Sequence, residues 1–333
     1  MNKNDAIWAL ARLGESMRNE SEWSDSIEKA HQKNQWFVPD FVKHVLQAWS
    51  KILSAENLSK FASAYPQSPA PRKVGIVMAG NIPLVGLHDL MCVLLSGHTA
   101  LVKCSKEDEI LIKKAISILS PEGNEDIVIA DRLESPEAVI ATGSNNTSRY
   151  FEYYFRYIPH LIRHNRTSVA VLTEKDDPTV YQKLAKDVFM YFGLGCRNVG
   201  KIYIPRDFYL PNLLDEWQSW SHLADHNKFA NNYIYHRALF LMNRQEHLDT
   251  GYLLLKEDES IFSPLGCLYY ERYDNLEAVK EKLESQNDEI QCVVSSIDFI
   301  HNRVPVGESQ SPGLDTFADQ IDTMQFLSEM AVK

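Results

Sequence analysis

The sequence predicts an α/β protein with mostly parallel sheets, preceded by a helical segment. Two patterns carry that expectation. Short apolar runs end repeatedly at small-residue turns and alternate with helix-length stretches, the rhythm of strand–helix–strand units. Before them, residues 1 to about 70 repeat apolar side chains at helical spacing. The 333 residues suffice for one large or two medium domains, and 44% hydrophobic with 24% charged residues is an ordinary globular composition.

In order along the chain, Phe41, Val45, Leu46, Trp49, Ile52 and Leu53 form one apolar stripe. Residues 65–72, with Pro66, Pro69 and Pro71, break the helical pattern and connect it to a strand over 73–78. A helix over 87–95, a strand over 99–103, a helix near 107–119 and strands over 126–130 and 138–141 follow. The second half reads as a strand over 168–172, a helix over 178–192 and a strand over 201–204. Beyond it, strands are expected over 238–242 and 267–270, and a helix over 275–285. There is no internal repeat.

A net charge of −11 leaves no basic excess for a nucleic-acid partner. The N-terminal apolar residues Ile7, Leu10, Leu13 and Met17 are interrupted by Asp5, Arg12 and Glu15, unlike a signal peptide. No apolar run is long enough to span a bilayer. Cys92, Cys104, Cys196, Cys267 and Cys292 show no paired CxxC spacing, and reduced thiols in the cytoplasm are the expectation.

Four segments fall at strand ends or strand–helix turns, where α/β sheets bind ligands. In Ala79-Gly80-Asn81-Ile82-Pro83, Asn81 could aim an amide at a developing oxyanion or simply shape a turn. In Leu101-Val102-Lys103-Cys104-Ser105-Lys106, Lys103 could bind a ribose or phosphate, or end a strand in solvent. Thr142-Gly143-Ser144-Asn145 is a small-residue turn whose backbone N–H groups suit phosphate. In Tyr191-Phe192-Gly193-Leu194-Gly195-Cys196-Arg197, the glycines permit tight geometry and Arg197 favours a thiolate. A small buried cysteine is the alternative there.

In this order the four segments resemble the aldehyde dehydrogenase superfamily, with Ser260-Ile261-Phe262-Ser263-Pro264 similar to its Glu-Ile-Phe-Gly-Pro. Asn81-Ile82-Pro83 and Asp322-Thr323-Met324-Gln325-Phe326-Leu327 look closest to the LuxC-type acyl-CoA reductases in a short form. The resemblance spans roughly residues 70 to 330. It implies that Cys196 accepts the acyl group and that Asn81 and the Cys196 N–H form the oxyanion hole. It implies further that Lys103 holds the adenosine ribose, while Thr142, Gly143 and Ser144 line the cofactor site. The domains expected are 1–165 for the helices and cofactor, 166–310 for the nucleophile, and 311–333 as a return segment. A homodimer is expected from the same resemblance.

Three departures refine the expectation. Counting back from Cys196 without gaps, Ile162 stands where aldehyde-oxidising relatives keep the glutamate that activates water, which favours acyl-thioester reduction. Lys106 replaces the glutamate of Lys-Pro-Ser-Glu, favouring NADPH over NADH, unless it merely opens a charged helix. Ser260 replaces a cofactor-contacting glutamate, and Glu259 beside it could substitute. His160 and His164 have helical metal-ligand spacing but lack the intervening glutamate of a metalloprotease, so no metal is expected. Arg163 and Arg166 could meet phosphates or form an exposed basic turn. The stretch 229–236 could shape an acyl pocket or an interface. The expected substrate is acyl-CoA or an acyl-carrier thioester. An acyltransferase using the same cysteine, and a non-catalytic nucleotide- or acyl-CoA-binding relative, are the alternatives.

Overall fold

The computed structural model describes residues 1–68, 70–123, 125–143, 145–300 and 302–330. The chain divides into two compact units, Met1–Asn165 with Gly313–Lys333, and Arg166–Pro312. The first unit is therefore built from both ends of the chain.

Four helices open the first unit: Lys3–Arg18, Glu20–Lys33, Pro39–Ile52 and Ala55–Ser63. Their starts follow local chemistry. Asn2 and Ser54 accept from the N–H groups of Asp5 and Asn57, and Pro39 occupies the first turn, where its missing N–H costs nothing. Strands β1 (Lys73–Val77), β2 (Thr99–Lys103), β3 (Ile127–Ile129), β4 (Ala138–Thr142) and β5 (His160–Arg163) form one parallel sheet in the order β3-β2-β1-β4-β5. The Leu87–Leu95 helix between β1 and β2 is almost wholly buried. It joins the N-terminal helices and the last helix, Thr323–Glu329, in a single apolar core. Each leucine fully removed from water there contributes about 1.5–3 kcal/mol.

The segment 160–166 differs from its sequence reading. His160 and His164 sit on and just beyond a strand, so their spacing of four no longer brings the imidazoles together as it would on a helix. Among the described residues no group of three or more His, Cys, Asp or Glu could hold a metal ion. Arg163 is neither exposed nor placed for phosphate. It is 3% exposed, pairs with Asp89 of the Leu87–Leu95 helix, and donates to the Ala318 carbonyl and Thr323 hydroxyl, both at 2.9 Å. Asp319 accepts from the His164 N–H at 3.1 Å. The return segment is thus stitched to the end of β5 by one buried guanidinium and its neighbours.

The second unit carries β6 (Thr167–Val171), β7 (Val199–Pro205), β8 (Leu248–Asp249), β9 (Leu254–Glu257), β10 (Cys267–Tyr273), β11 (Ile290–Ser295) and β12 (Arg303–Val304). They form one sheet in the order β12-β11-β6-β7-β10-β9-β8, parallel except for the β8–β9 pair. Arg166 donates to the Asn287 and Ile290 carbonyls at 3.0 and 3.2 Å, bracing the entry to β11 instead of meeting a phosphate. The expected strand over 238–242 is instead the end of the Asn227–Met242 helix. Ala238-Leu239-Phe240-Leu241-Met242 is a continuous apolar run, and such a run suits a buried strand or a helix equally. Here the helix begins at the His226 imidazole, which accepts from the Phe229 N–H, and buries Phe229, Tyr233 and Phe240 along one side. Among the described residues no helix is long and apolar enough to cross a membrane.

Candidate active site

In the first unit, the expected cofactor residues meet at the carboxyl end of neighbouring strands. The register sets Val77 of β1 beside Lys103 of β2 on one side and Ala141 of β4 on the other. Asn81 follows β1, Lys103 ends β2, Lys106 follows it, and Thr142 and Gly143 close β4. In the order β3-β2-β1-β4-β5 the connections diverge between β1 and β4, where α/β sheets open a crevice for ligands. The Asn81 and Thr142 turns therefore flank the switch point. Ser144, expected in the same turn, lies outside the described residues.

The turns after β1 and β2 are packed tightly against each other. A Cβ added to Gly80 would lie 2.3 Å from the Ser105 hydroxyl and 3.2 Å from the Glu107 Cβ, so glycine alone fits without a shift. Ser105 donates to Glu107 at 2.6 Å. That bond, ahead of other influences, draws the Glu107 carboxyl below the usual range and keeps it ionised. The sequence marks Glu107 only as the start of a charged helix; the structure places its carboxylate in the same turn as Lys106.

In the second unit, Cys196 lies on the loop from the Pro178–Phe189 helix to β7. The chain leaves that helix through a short 3-10 turn, Met190–Gly193. Tyr191, Phe192 and Gly193 have φ of 52°, 58° and 78°, three left-handed residues in succession, two of them aromatic. For the two aromatic residues such conformations cost about 1–3 kcal/mol each, and they concentrate at functional sites, whereas Gly193 adopts its own freely. Packing holds them: Tyr191 and Phe192 are buried, and the Phe192 ring lies 4.3 Å from that of His226 and 5.8 Å from that of Phe229. The stretch 229–236 thus begins as a buttress of the loop that carries Cys196.

Asn198 fastens the loop from inside. Its side-chain oxygen accepts from the Gly195 N–H at 2.8 Å, and its amide nitrogen lies 2.8–3.3 Å from the carbonyls of Asp187, Val188 and Met190. The Cys196 carbonyl accepts from Ser168 of β6 at 3.0 Å, and the same hydroxyl lies 3.1 Å from the Cys292 sulfur. Asn198→Ala is expected to lower stability by about 2–3 kcal/mol, because it strands buried backbone groups. A denaturant midpoint unchanged from wild type would remove Asn198 from this role.

The other four cysteines are pushed up by burial, Cys104 to about 11, Cys267 to about 12, and Cys92 and Cys292 in the same direction. Thiols so held are inert. Cys196 is half-buried on its loop.

Sequence reasoning passed over Lys201. Its side chain is 0% exposed on β7, pairs with Glu271, lies 4.9 Å above the Tyr203 ring, and donates to the Glu259 carbonyl at 2.9 Å. Burial draws its pKa down, against the pull of Glu271. The bond to Glu259 fixes the backbone of the turn that precedes Ser260-Ile261-Phe262, while the Glu259 side chain remains exposed. Ile162 is buried on β5, so its position offers no proton acceptor.

No protein-family model matches the chain, and no curated protein matches it. Solved structures do match in fold. A point mutant of an aldehyde dehydrogenase from Bacillus cereus is 13% identical with a TM-score of 0.64, over 91% of this chain and 72% of that one. A Mycobacterium tuberculosis aldehyde dehydrogenase complexed with NAD+ is 13% identical with a TM-score of 0.65, over 89% and 73%. A NAD-dependent benzaldehyde dehydrogenase from Corynebacterium glutamicum is 12% identical with a TM-score of 0.66, over 89% and 76%. The fold is aldehyde-dehydrogenase-like α/β, with two mostly parallel sheets.

Proposed function

We propose that this chain is an oxidoreductase of aldehyde dehydrogenase type that reduces acyl thioesters, acyl-CoA foremost, to aldehydes in the manner of the LuxC-type reductases. The observation that carries the reading is Ile162, an apolar buried side chain where an aldehyde-oxidising enzyme requires a base. The Cys196 thiolate attacks the thioester carbonyl and expels the carrier thiol, leaving an acyl-enzyme. Without a base to activate water, that intermediate persists. A reduced nicotinamide bound beside it would supply the hydride that takes the acyl group to aldehyde, with Cys196 leaving as the thiolate.

Asn81 supplies its side-chain amide, with the Cys196 N–H, to the oxyanion of both tetrahedral species. On this reading the β1/β4 switch point holds the dinucleotide, with Lys103 toward the adenosine ribose and Thr142 and Gly143 lining the cofactor site. What supports such a group here is the placement of Lys103, Thr142 and Gly143 at the carboxyl ends of β2 and β4, on either side of β1. The deciding assay is NADPH oxidation with short, medium and long acyl-CoA, with the aldehyde measured directly. Acyl-Cys196 without cofactor oxidation would instead favour acyl transfer.

Lys106 favours the 2′-phosphate of NADPH, whereas the ionised Glu107 in the same turn favours the ribose hydroxyls of NADH. Lys106→Ala is expected to lower the NADPH-to-NADH ratio of kcat/KM by about tenfold, the scale of one charge-assisted hydrogen bond. Glu107→Gln is expected to shift it the other way. An unchanged ratio in both variants would take this turn out of cofactor selection.

A further inference from the structure

Asp108 is 1% exposed at the start of the Glu109–Leu119 helix, yet it does not cap that helix. One carboxyl oxygen accepts from the Leu84 N–H at 2.8 Å, and among the described residues the other has no hydrogen-bond partner. A buried acid facing outward from its own helix, toward the backbone of another turn, is not explained by helix formation.

The recipient explains it. Leu84 is itself buried, with φ of 54°, a conformation that costs a branched residue free energy unless something holds it. It stands three residues after Asn81, and the intervening chain is stiff. Pro83 fixes its own φ, and Ile82, preceding a proline, is confined to extended conformations. With the Leu84 N–H anchored, little freedom is left between it and Asn81. On the other side, Gly80 is wedged against Ser105 and Glu107, and the Met78 N–H donates to the Lys103 carbonyl at 3.1 Å. The Asn81 turn is thus held at both ends by the turn after β2.

We propose that Asp108 is a positioning residue for Asn81: its hydrogen bond to the Leu84 N–H sets the turn that presents the Asn81 amide for oxyanion binding. The inference rests on the acyl-thioester reading given above. Burial pushes the Asp108 carboxyl well above the usual carboxylate range, and asparagine is its near-isostere with the same acceptor oxygen. Leucine has the same shape without the hydrogen bond.

The test is the rate of acyl-enzyme formation on Cys196 in Asp108→Leu, Asp108→Asn, Asn81→Ala and the Asp108→Leu/Asn81→Ala pair. Asn81→Ala is expected to slow acylation by about 10²–10³-fold, the loss of one oxyanion donor. Asp108→Leu is expected to slow it by about tenfold or more with KM for the cofactor unchanged. Asp108→Asn is expected to restore it to near wild type. In the double variant Asp108→Leu is expected to add almost nothing, because it acts through Asn81. If Asp108→Leu fails to fold, Asp108→Ala takes its place, assayed below its own melting midpoint.

Normal acylation in Asp108→Leu beside a slow Asn81→Ala would overturn the positioning role alone. So would an undiminished effect of Asp108→Leu in the Asn81→Ala background. Normal acylation in Asn81→Ala would overturn the oxyanion assignment and this inference with it.

Discussion

Cys196→Ala is expected to abolish the acyl adduct seen by intact mass after mixing with acyl-CoA, and to lower cofactor oxidation by more than about 10³-fold. On the proposed mechanism the thiolate takes the acyl group and later leaves from the tetrahedral adduct, and alanine offers neither step. Cofactor affinity is expected to stay within about twofold, since the residues assigned to it lie in the first unit. Cys104→Ala is the informative control. Its thiol lies beside Lys103, but burial pushes it up to about 11, so it contributes little thiolate at neutral pH and its loss is expected to leave the reaction intact. An adduct surviving in Cys196→Ala and vanishing in Cys104→Ala would reverse the assignment.

Arg163→Met is expected to destabilise the first unit by about 3–5 kcal/mol, the cost of breaking a buried ion pair from one side. Methionine fills the volume of the arginine stem but leaves Asp89 buried opposite no cation. The Thr323 hydroxyl and Ala318 carbonyl lose a partner as well. Asp89→Leu added to Arg163→Met is expected to recover a large part of the loss, because two apolar groups need no counter-charge. Hydrogen exchange over 323–329 reads the effect locally: protection is expected to fall in the single variant and return in the double. A loss below about 1 kcal/mol would show that the return segment is held by its apolar contacts alone.

The first unit is largely legible in the sequence because its elements alternate cleanly. The glycines and prolines that bound them place the Leu87–Leu95 helix and the strand Thr99–Lys103 to the residue. Four-residue β5 escapes such a reading, since His160, Arg163 and His164 mimic an exposed basic turn and the burial of Arg163 depends on Asp89 and Thr323, far away in sequence. β11 escapes it for another reason: all six of its residues are buried, so it lacks the alternation that marks a strand with one wet face. At the candidate site, the glycines and the cysteine can be noticed because their types are unusual in those places. Asp108, Asn198 and Lys201 cannot. Their residue types are ordinarily solvated, and only the fold reveals that each is sealed in and aimed at a backbone group.

The division of the chain sets a timetable for its folding. Sheet β3-β2-β1-β4-β5 is complete in sequence once β5 has been synthesised, yet the unit it belongs to still lacks Leu314, Met324 and Leu327 for its core and the Arg163 contacts at Ala318 and Thr323. Emerging from the ribosome, the second unit has all its residues before the first has its last ones. The early helices and sheet must therefore wait with an apolar flank uncovered while the whole of Arg166–Pro312 is made. Closure of the first unit follows synthesis of the second, and the nascent chain is most exposed to aggregation and chaperone capture in that interval.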